Sequence, residues 1–260
     1  MTTIRLDSWQ AWRRSWVSLS QHPWPLLGFS GAVLGLHLLG WALFAAAERQ
    51  DSGVLSALLH LLGLALYSAS LLWMVEGLSR GGLALARQQP LRWRVLWRLR
   101  GRRSWRLLRS LAAVAAAAAT AALVSFALWS LLLLLLPSLS LAAALLGLIG
   151  TGAVLLSQLF APLLVIDGRM SPSAGFRTGA VLLEHHWPGQ LLLVTLLLAT
   201  LMAPLLVGLL AEALMQGLGV AATALACVVS LPLVATAVAH AYLQLQPELA
   251  LNRGFRRGAR

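Results

Sequence analysis

Two histidines lie inside long apolar stretches of this chain, His37 within residues 26–47 and His60 within 54–75. An ionisable group in hydrocarbon is costly, so its presence is a first pointer to chemistry. At about 1.5 Å per residue they sit roughly 17 and 22 Å from the same edge of a bilayer, near enough in depth for antiparallel neighbours to bring them together. Two chemistries would follow: a proton-titrating pair, or a polar contact for a substrate. The plainer use is two neutral imidazoles tying helices by hydrogen bonds, with Tyr67, Ser68 and Ser70 nearby. A transport path carries more polar side chains than these stretches offer, which favours the plainer use.

A second group is the run Glu184-His185-His186. Carboxylate and imidazole can ligate zinc, but consecutive helical residues diverge by about 100°, so the three cannot meet at one ion without outside ligands. They read instead as polar residues at a lipid surface, just before Trp187. No metal and no cofactor is expected. Asp167, at the end of the fourth apolar stretch, either pairs with a central arginine such as Arg94 or Arg98, locking two parts of the chain, or stands solvated at a helix end. Glu76 has the same choice. The single cysteine, Cys227, rules out an intrachain disulfide and suits packing. A P-loop, a dinucleotide fingerprint and an HExxH run are all missing. No nucleophile or carboxylate pair is clustered, so an enzyme is not expected.

What must position these residues is a set of apolar stretches. Of 260 residues, 59% are apolar and 11% charged, against about 25% charged in soluble domains. A helix needs roughly 20 apolar residues to cross a bilayer. Six stretches qualify: 26–47, 54–75, 111–136, 139–166, 191–210 and 218–243. Only Pro137-Ser138 separates the third from the fourth, a tight hairpin at which proline stops the helix. The first is read as a retained span, because its apolar run is too long for a signal peptide's h-region. Pro162, Pro204 and Pro232 fall inside the last three spans. Each should free the carbonyl four residues earlier (Gln158 for Pro162, Val228 for Pro232) and kink its helix. The Gln158 amide is expected to bond a neighbouring helix, and Gly31 with Gly35 forms a GxxxG close-approach face.

All twenty basic residues are arginine. Arg5, Arg13 and Arg14 precede the first span, ten from Arg80 to Arg109 lie between the second and third, Arg169 and Arg177 lie between the fourth and fifth, and Arg253, Arg256, Arg257 and Arg260 follow the last. Only Arg49 falls on the other side. Basic loops stay in the cytoplasm. Both termini are therefore expected there, in a multi-pass protein of a bacterial inner (plasma) membrane. Residues 91–110, LRWRVLWRLRGRRSWRLLRS, hold eight arginines and three tryptophans. Between two spans such a segment is an interfacial loop, and no nucleic acid is expected as partner. The expected headgroup contacts are Arg13, Arg14, Arg92, Arg94, Arg98, Arg102, Arg103 and Arg177. Trp24, Trp97, Trp105 and Trp187 should sit at headgroup level, where an amphipathic ring has one wet and one dry edge.

The segments WQAWRRSWVSLSQHPWPLL and SPSAGFRTGAVLLEHHWPGQLL align at an offset of 163, pairing Arg14 with Arg177, Leu19 with Leu182, His22 with His185, Trp24 with Trp187 and Pro25 with Pro188. At an offset of 81, Trp16 meets Trp97 and Trp24 meets Trp105. The chain thus reads as three tandem units, about 5–85, 88–168 and 171–250, each a surface helix, a span, a turn and a returning span. Two spans per unit make the repeats parallel rather than inverted. In the third surface helix Ser171 is the expected N-cap and Pro172 the first helical residue. Phe176, Gly179, Ala180, Leu183 and Trp187 share one face; in the first helix Trp9, Trp12, Trp16 and Leu19 do.

The segment FAPLLVIDGRMSPSAGFRTGAVLLEHHWPGQLLLV resembles a pattern in bacterial six-span membrane proteins of the YciC-like family, and in the membrane domain attached to some glycerophosphodiester phosphodiesterases. The matching positions are Pro162, Asp167, Gly168, Ser171, Pro172, Ala174 and Thr178, where the family often has serine at the last. ALARQQPLRWRVLWRLRGRRSWRLL is similar to the family's second cytoplasmic loop. The soluble phosphodiesterase catalytic domain has no counterpart among these residues, and the resemblance implies a six-span fold without carrying over a catalytic residue.

The reading is an all-α polytopic membrane protein, a single integral membrane domain over 1–260. Its six transmembrane helices form three tandem two-helix repeats, each preceded by a cytoplasmic amphipathic helix. The expected function is non-enzymatic: a basic cytoplasmic face that contacts anionic membrane lipids or a partner protein, membrane-bound or cytoplasmic. The alternative is a transporter or permease-like subunit with a path between the repeats.

Overall fold

A computed structural model describes the backbone of residues 6–98, 101–167 and 170–258, and side chains as far as residue 247. Arg5, Gly168, Arg169 and Arg260 lie outside the described residues, as do the side chains of Arg253, Arg256 and Arg257. The described chain is all helical: α1 (Ser8–Gln21), α2 (Pro23–Ala47), α3 (Gly53–Ala86), α4 (Trp93–Trp97), α5 (Gly101–Leu135), α6 (Pro137–Ser157), α7 (Ala161–Ile166), α8 (Pro172–Leu214) and α9 (Leu218–Gly258). Six helices are long and apolar enough to cross a membrane, α6 and α7 together counting as one. The chain is thus a multi-pass membrane protein.

The prolines act unequally. Pro162 breaks the fourth span: α6 ends at Ser157, a turn intervenes, and α7 starts at Ala161. The Gln158 carbonyl, left without its helical donor by Pro162, accepts from Ala161 N–H instead (2.9 Å). Pro204 and Pro232 are carried inside continuous helices.

Residues fall into two compact units, 1–100 with 195–260, and 101–194. These limits cut across the second and third of the expected repeats. In the larger unit α2 and α3 run antiparallel with backbones nearly touching. A Cβ at Gly40 would come within 3.0 Å of Tyr67 N, and one at Gly63 within 3.1 Å of the Gly40 carbonyl. The close approach therefore runs through Gly40 and Gly63, not Gly31 and Gly35: Gly31 meets only the Val228 side chain at 3.7 Å, and Gly35 faces open space. α9 packs on α1, α2 and α3, its Ala235 carbonyl within 2.7 Å of where a Gly82 Cβ would stand. Leu19, Leu26, Phe29, Val33, Leu78, Leu85, Leu96 and Leu233 form the core between them.

In the smaller unit α5 and α6 form the hairpin expected at Pro137, with Gly147 set against Ser125. The first turns of α8 follow, Ser171 Oγ accepting from Ala174 N–H (3.3 Å) as an N-cap and Pro172 opening the helix. Gln158 Nε2 donates to the Phe176 carbonyl of α8 (3.2 Å) and to Ser157 Oγ (2.9 Å).

The protein-facing sides of the two surface segments fall largely outside the apolar stripes. α1 buries Ser8, Ala11, Ser15 and Leu19, while Trp9 and Trp16 stay exposed, with Trp9 stacked on Trp12 and Trp12 edge-on to Trp16. The α8 start buries Gly175, Gly179, Leu182 and His186, of which Gly179 alone belongs to the apolar stripe. Small side chains let a helix approach its neighbour, and the bulky rings are left facing outward. In the central segment the described residues form the five-residue α4 and, from Gly101, the start of α5. α1 and α2 are separated at His22 (φ −138°, ψ 62°), and α8 is kinked at His186 (φ −128°, ψ 21°), each break falling next to the His-Pro or His-Trp-Pro step.

Candidate functional site

One end of the larger unit gathers arginine. α1 is held there by bonds to α9 along its length. Asp7 caps α1 through Oδ1 to Gln10 N–H (2.8 Å), its own N–H donates to Gln244 Oε1 (2.9 Å), and Ser18 Oγ bonds His240 Nε2 (3.0 Å). Trp12 Nε1 donates to Thr200 Oγ1 (3.1 Å). α3 ends beside α1 in a left-handed turn at Gln88 (φ 54°), where the N–H groups of Gln88 and Gln89 return to the carbonyls of Leu85 and Ala84. Between α1, this turn and α9 lies an open groove of about 1020 Å³. Arg13, Arg14, His22 and His240 line it with the amides of Gln10, Gln21, Gln88 and Gln89, and among the described residues no carboxylate does. Helical spacing sets the α1 wall: Gln10, Arg14, Val17 and Gln21 recur on one face.

Beside the groove, α4 is clamped onto the α2–α3 pair. A five-residue helix has no stability of its own, so its contacts must hold it. Leu96 is fully buried over Gly81, where a Cβ would stand 3.1 Å from its Cδ2, and Trp93 lies over Gly28. Trp97 is edge-on to Phe29 and Trp73, both at 5.2 Å, and its carbonyl accepts from Trp73 Nε1 (3.2 Å). Glu76 is completely buried and paired with Arg80 one turn on; Arg80 then donates to the carbonyls of Val95 (3.1 Å) and Arg98 (2.5 Å). The spacing of Glu76 and Arg80 in MVEGLSR is an i, i+4 pair that sequence reasoning passed over. The clamp leaves Arg92, Arg94 and Arg98 exposed around α4.

Of the expected headgroup residues, Arg13, Arg14, Arg92, Arg94 and Arg98 belong to this end of the larger unit. Arg102, Arg103 and Arg177 belong to the smaller one, at the starts of α5 and α8. Trp24, Trp105 and Trp187 are exposed, and the Arg109 guanidinium stands 5.1 Å over the Trp105 ring. Trp97 differs: it is half-buried against the core.

The structure does not bring His37 and His60 together. His37 Nδ1 bonds Ser70 Oγ across the α2–α3 contact (3.1 Å), with its ring 4.1 Å from that of Tyr67. His60 Nδ1 bonds the Ser56 carbonyl of its own helix (2.9 Å). The register set by Gly40 and Gly63 places His37 beside Ser70 and His60 beside Phe44, apart along the helices. Glu184 and His185 are exposed while His186 is buried, so His186 points away from the other two. Asp167 caps α7, its N–H returning to the Leu163 carbonyl (2.8 Å). It lies in the smaller unit, whereas Arg94 and Arg98 lie in the larger. Comparison with known protein families, curated proteins and solved structures finds no match.

Proposed function

We propose that the chain is an inner-membrane protein of the YciC-like type whose arginine-bearing end faces the cytoplasm and binds anionic lipid headgroups without catalysis. Three tandem repeats, each with an interfacial segment before its spans, remain our reading of its organisation. The observation that carries the function is the groove in which Arg13 and Arg14 meet four side-chain amides and, among the described residues, no carboxylate. A site whose charged groups are cations attracts phosphate, and each arginine near an anionic surface contributes about 1 kcal/mol. The exposed tryptophans Trp9, Trp16 and Trp24 suit the same level of the bilayer. A path for transport would run past His37 or His60, yet His37 is tied to Ser70 and neither histidine lines this groove.

The test is native mass spectrometry of the purified chain with retained lipids. Wild type should keep anionic phospholipid in preference to choline phospholipid of the same acyl chains. The double variant Arg13→Gln/Arg14→Gln should weaken that preference by roughly thirty-fold, the equivalent of about 2 kcal/mol. Equal retention of both lipids by wild type would remove the proposal.

A further inference from the structure

At the opposite end of the same unit lies a second groove, of about 720 Å³, with almost the reverse chemistry. Leu34 and Leu38 of α2, Leu205 and Leu209 of α8, and Val220 and Cys227 of α9 form its walls, and among the described residues Glu212 is the one charged group lining it. Glu212 sits in the last turn of α8, beside the turn into α9. Its Oε1 accepts from Gly217 N–H (2.9 Å) and its Oε2 from Gly219 N–H (2.8 Å). Gly217 has φ +88°, a conformation that glycine adopts without strain, and a Cβ at Gly219 would stand 2.7 Å from Oε2. The carboxylate is thus held in one position by the turn itself. A carboxylate offers about four lone-pair sites, and the two N–H groups leave room for further donors.

The dimensions match a lipid. Past Gly217 the groove follows ten residues of α9, Leu218 to Cys227, about 15 Å at the helical rise. That is half of a hydrocarbon core about 30 Å thick, the depth of one leaflet. An apolar trough one leaflet deep, with a fixed anion at its mouth, is complementary to a chain carrying a cation at its head. We propose that this groove holds one acyl chain of a membrane lipid whose headgroup bears a primary ammonium, and that the ammonium donates to Glu212. A quaternary ammonium carries the same charge but has no N–H to give, so the site should separate ethanolamine-type from choline-type phospholipids. This inference is independent of the basic groove, which lies at the other end and selects the opposite charge.

The experiment offers the purified full-length chain equal amounts of ethanolamine and choline phospholipids with identical acyl chains, and counts retained lipid by native mass spectrometry. Wild type should retain the ethanolamine lipid roughly ten-fold over the choline lipid, the range of one hydrogen bond to a charged group. Glu212→Gln should bring the two to parity. Ala224→Phe, which fills the groove without touching the carboxylate, should remove both adducts. Parity in wild type, an unchanged preference in Glu212→Gln, or a dimer that carries no lipid would each overturn the proposal.

Discussion

The two ends of the larger unit treat charge in opposite ways. At the arginine end one carboxylate, Glu76, is taken fully out of solvent and matched by Arg80, while Arg13, Arg14, Arg92, Arg94 and Arg98 stay exposed. At the other end Glu48, Arg49 and Asp51 are exposed, and Glu212 is fixed by backbone N–H groups above an apolar trough. The difference separates two uses of a charge. Where the site is dry, the charge holds structure and its loss is severe. Where the site is wet, we assign the charge to recognition, and its loss should leave the fold alone.

The largest expected effect tests the dry case. Glu76→Ala leaves Arg80 buried without its carboxylate, at a cost of about 3–5 kcal/mol, and should release α4. Thermal unfolding in detergent together with protease cleavage after Arg94 or Arg98 reads both effects. A cost below about 1 kcal/mol would show that the pair does not hold the clamp. Next comes packing. Gly82→Ala drives a methyl into the Ala235 carbonyl and should cost about 1–3 kcal/mol, whereas Gly35→Ala enters open space and should be neutral or slightly stabilising. Equal effects at the two glycines would break the assignment of close-approach faces.

The wet case follows. Arg13→Gln/Arg14→Gln should leave the melting temperature unchanged while reducing anionic-lipid retention, and added salt should mimic it, because exposed charges are screened within about 8–10 Å. Salt should not reproduce the Glu76→Ala phenotype. The smallest effects belong to the intramembrane histidines. His37→Leu removes a bond between helices, about 0.6 kcal/mol on average in membrane proteins. His60→Leu removes one within its own helix and should cost less. A larger loss at His60 than at His37 would reverse the helix register described for α2 and α3.

The spans were legible because twenty apolar residues in a row have few other solutions, and the hairpin at Pro137 because proline ends a helix at a known point. The N-cap at Ser171 and the break at Pro162 followed from local chemistry in the same way. Tertiary choices were not legible. Hydrophobicity marks the tryptophan stripe of α1, yet in a membrane chain lipid is as good a neighbour for a ring as protein is. Small residues such as Ala11 and Ser15 therefore take the inward face. The same blindness affected GxxxG. Gly31 and Gly35 have the motif, but Gly40 and Gly63 make the contact, which depends on a partner helix that spacing within one helix cannot reveal. Arginine count pointed to the basic end, but the groove needs α1, α3 and α9 together, and Arg80 looked like one more surface cation until its carbonyl partners were seen.

The central claim is that the end carrying Arg13, Arg14 and the α4 arginines faces the cytoplasm. Single cysteines placed at Gln89, beside the basic groove, and at Ser52, in the turn between α2 and α3, in a Cys227→Ala background, test it directly with a membrane-impermeant thiol reagent. In intact cells the account predicts labelling at position 52 and protection at 89, with 89 labelled once the membrane is opened. Labelling of position 89 in intact cells would contradict it.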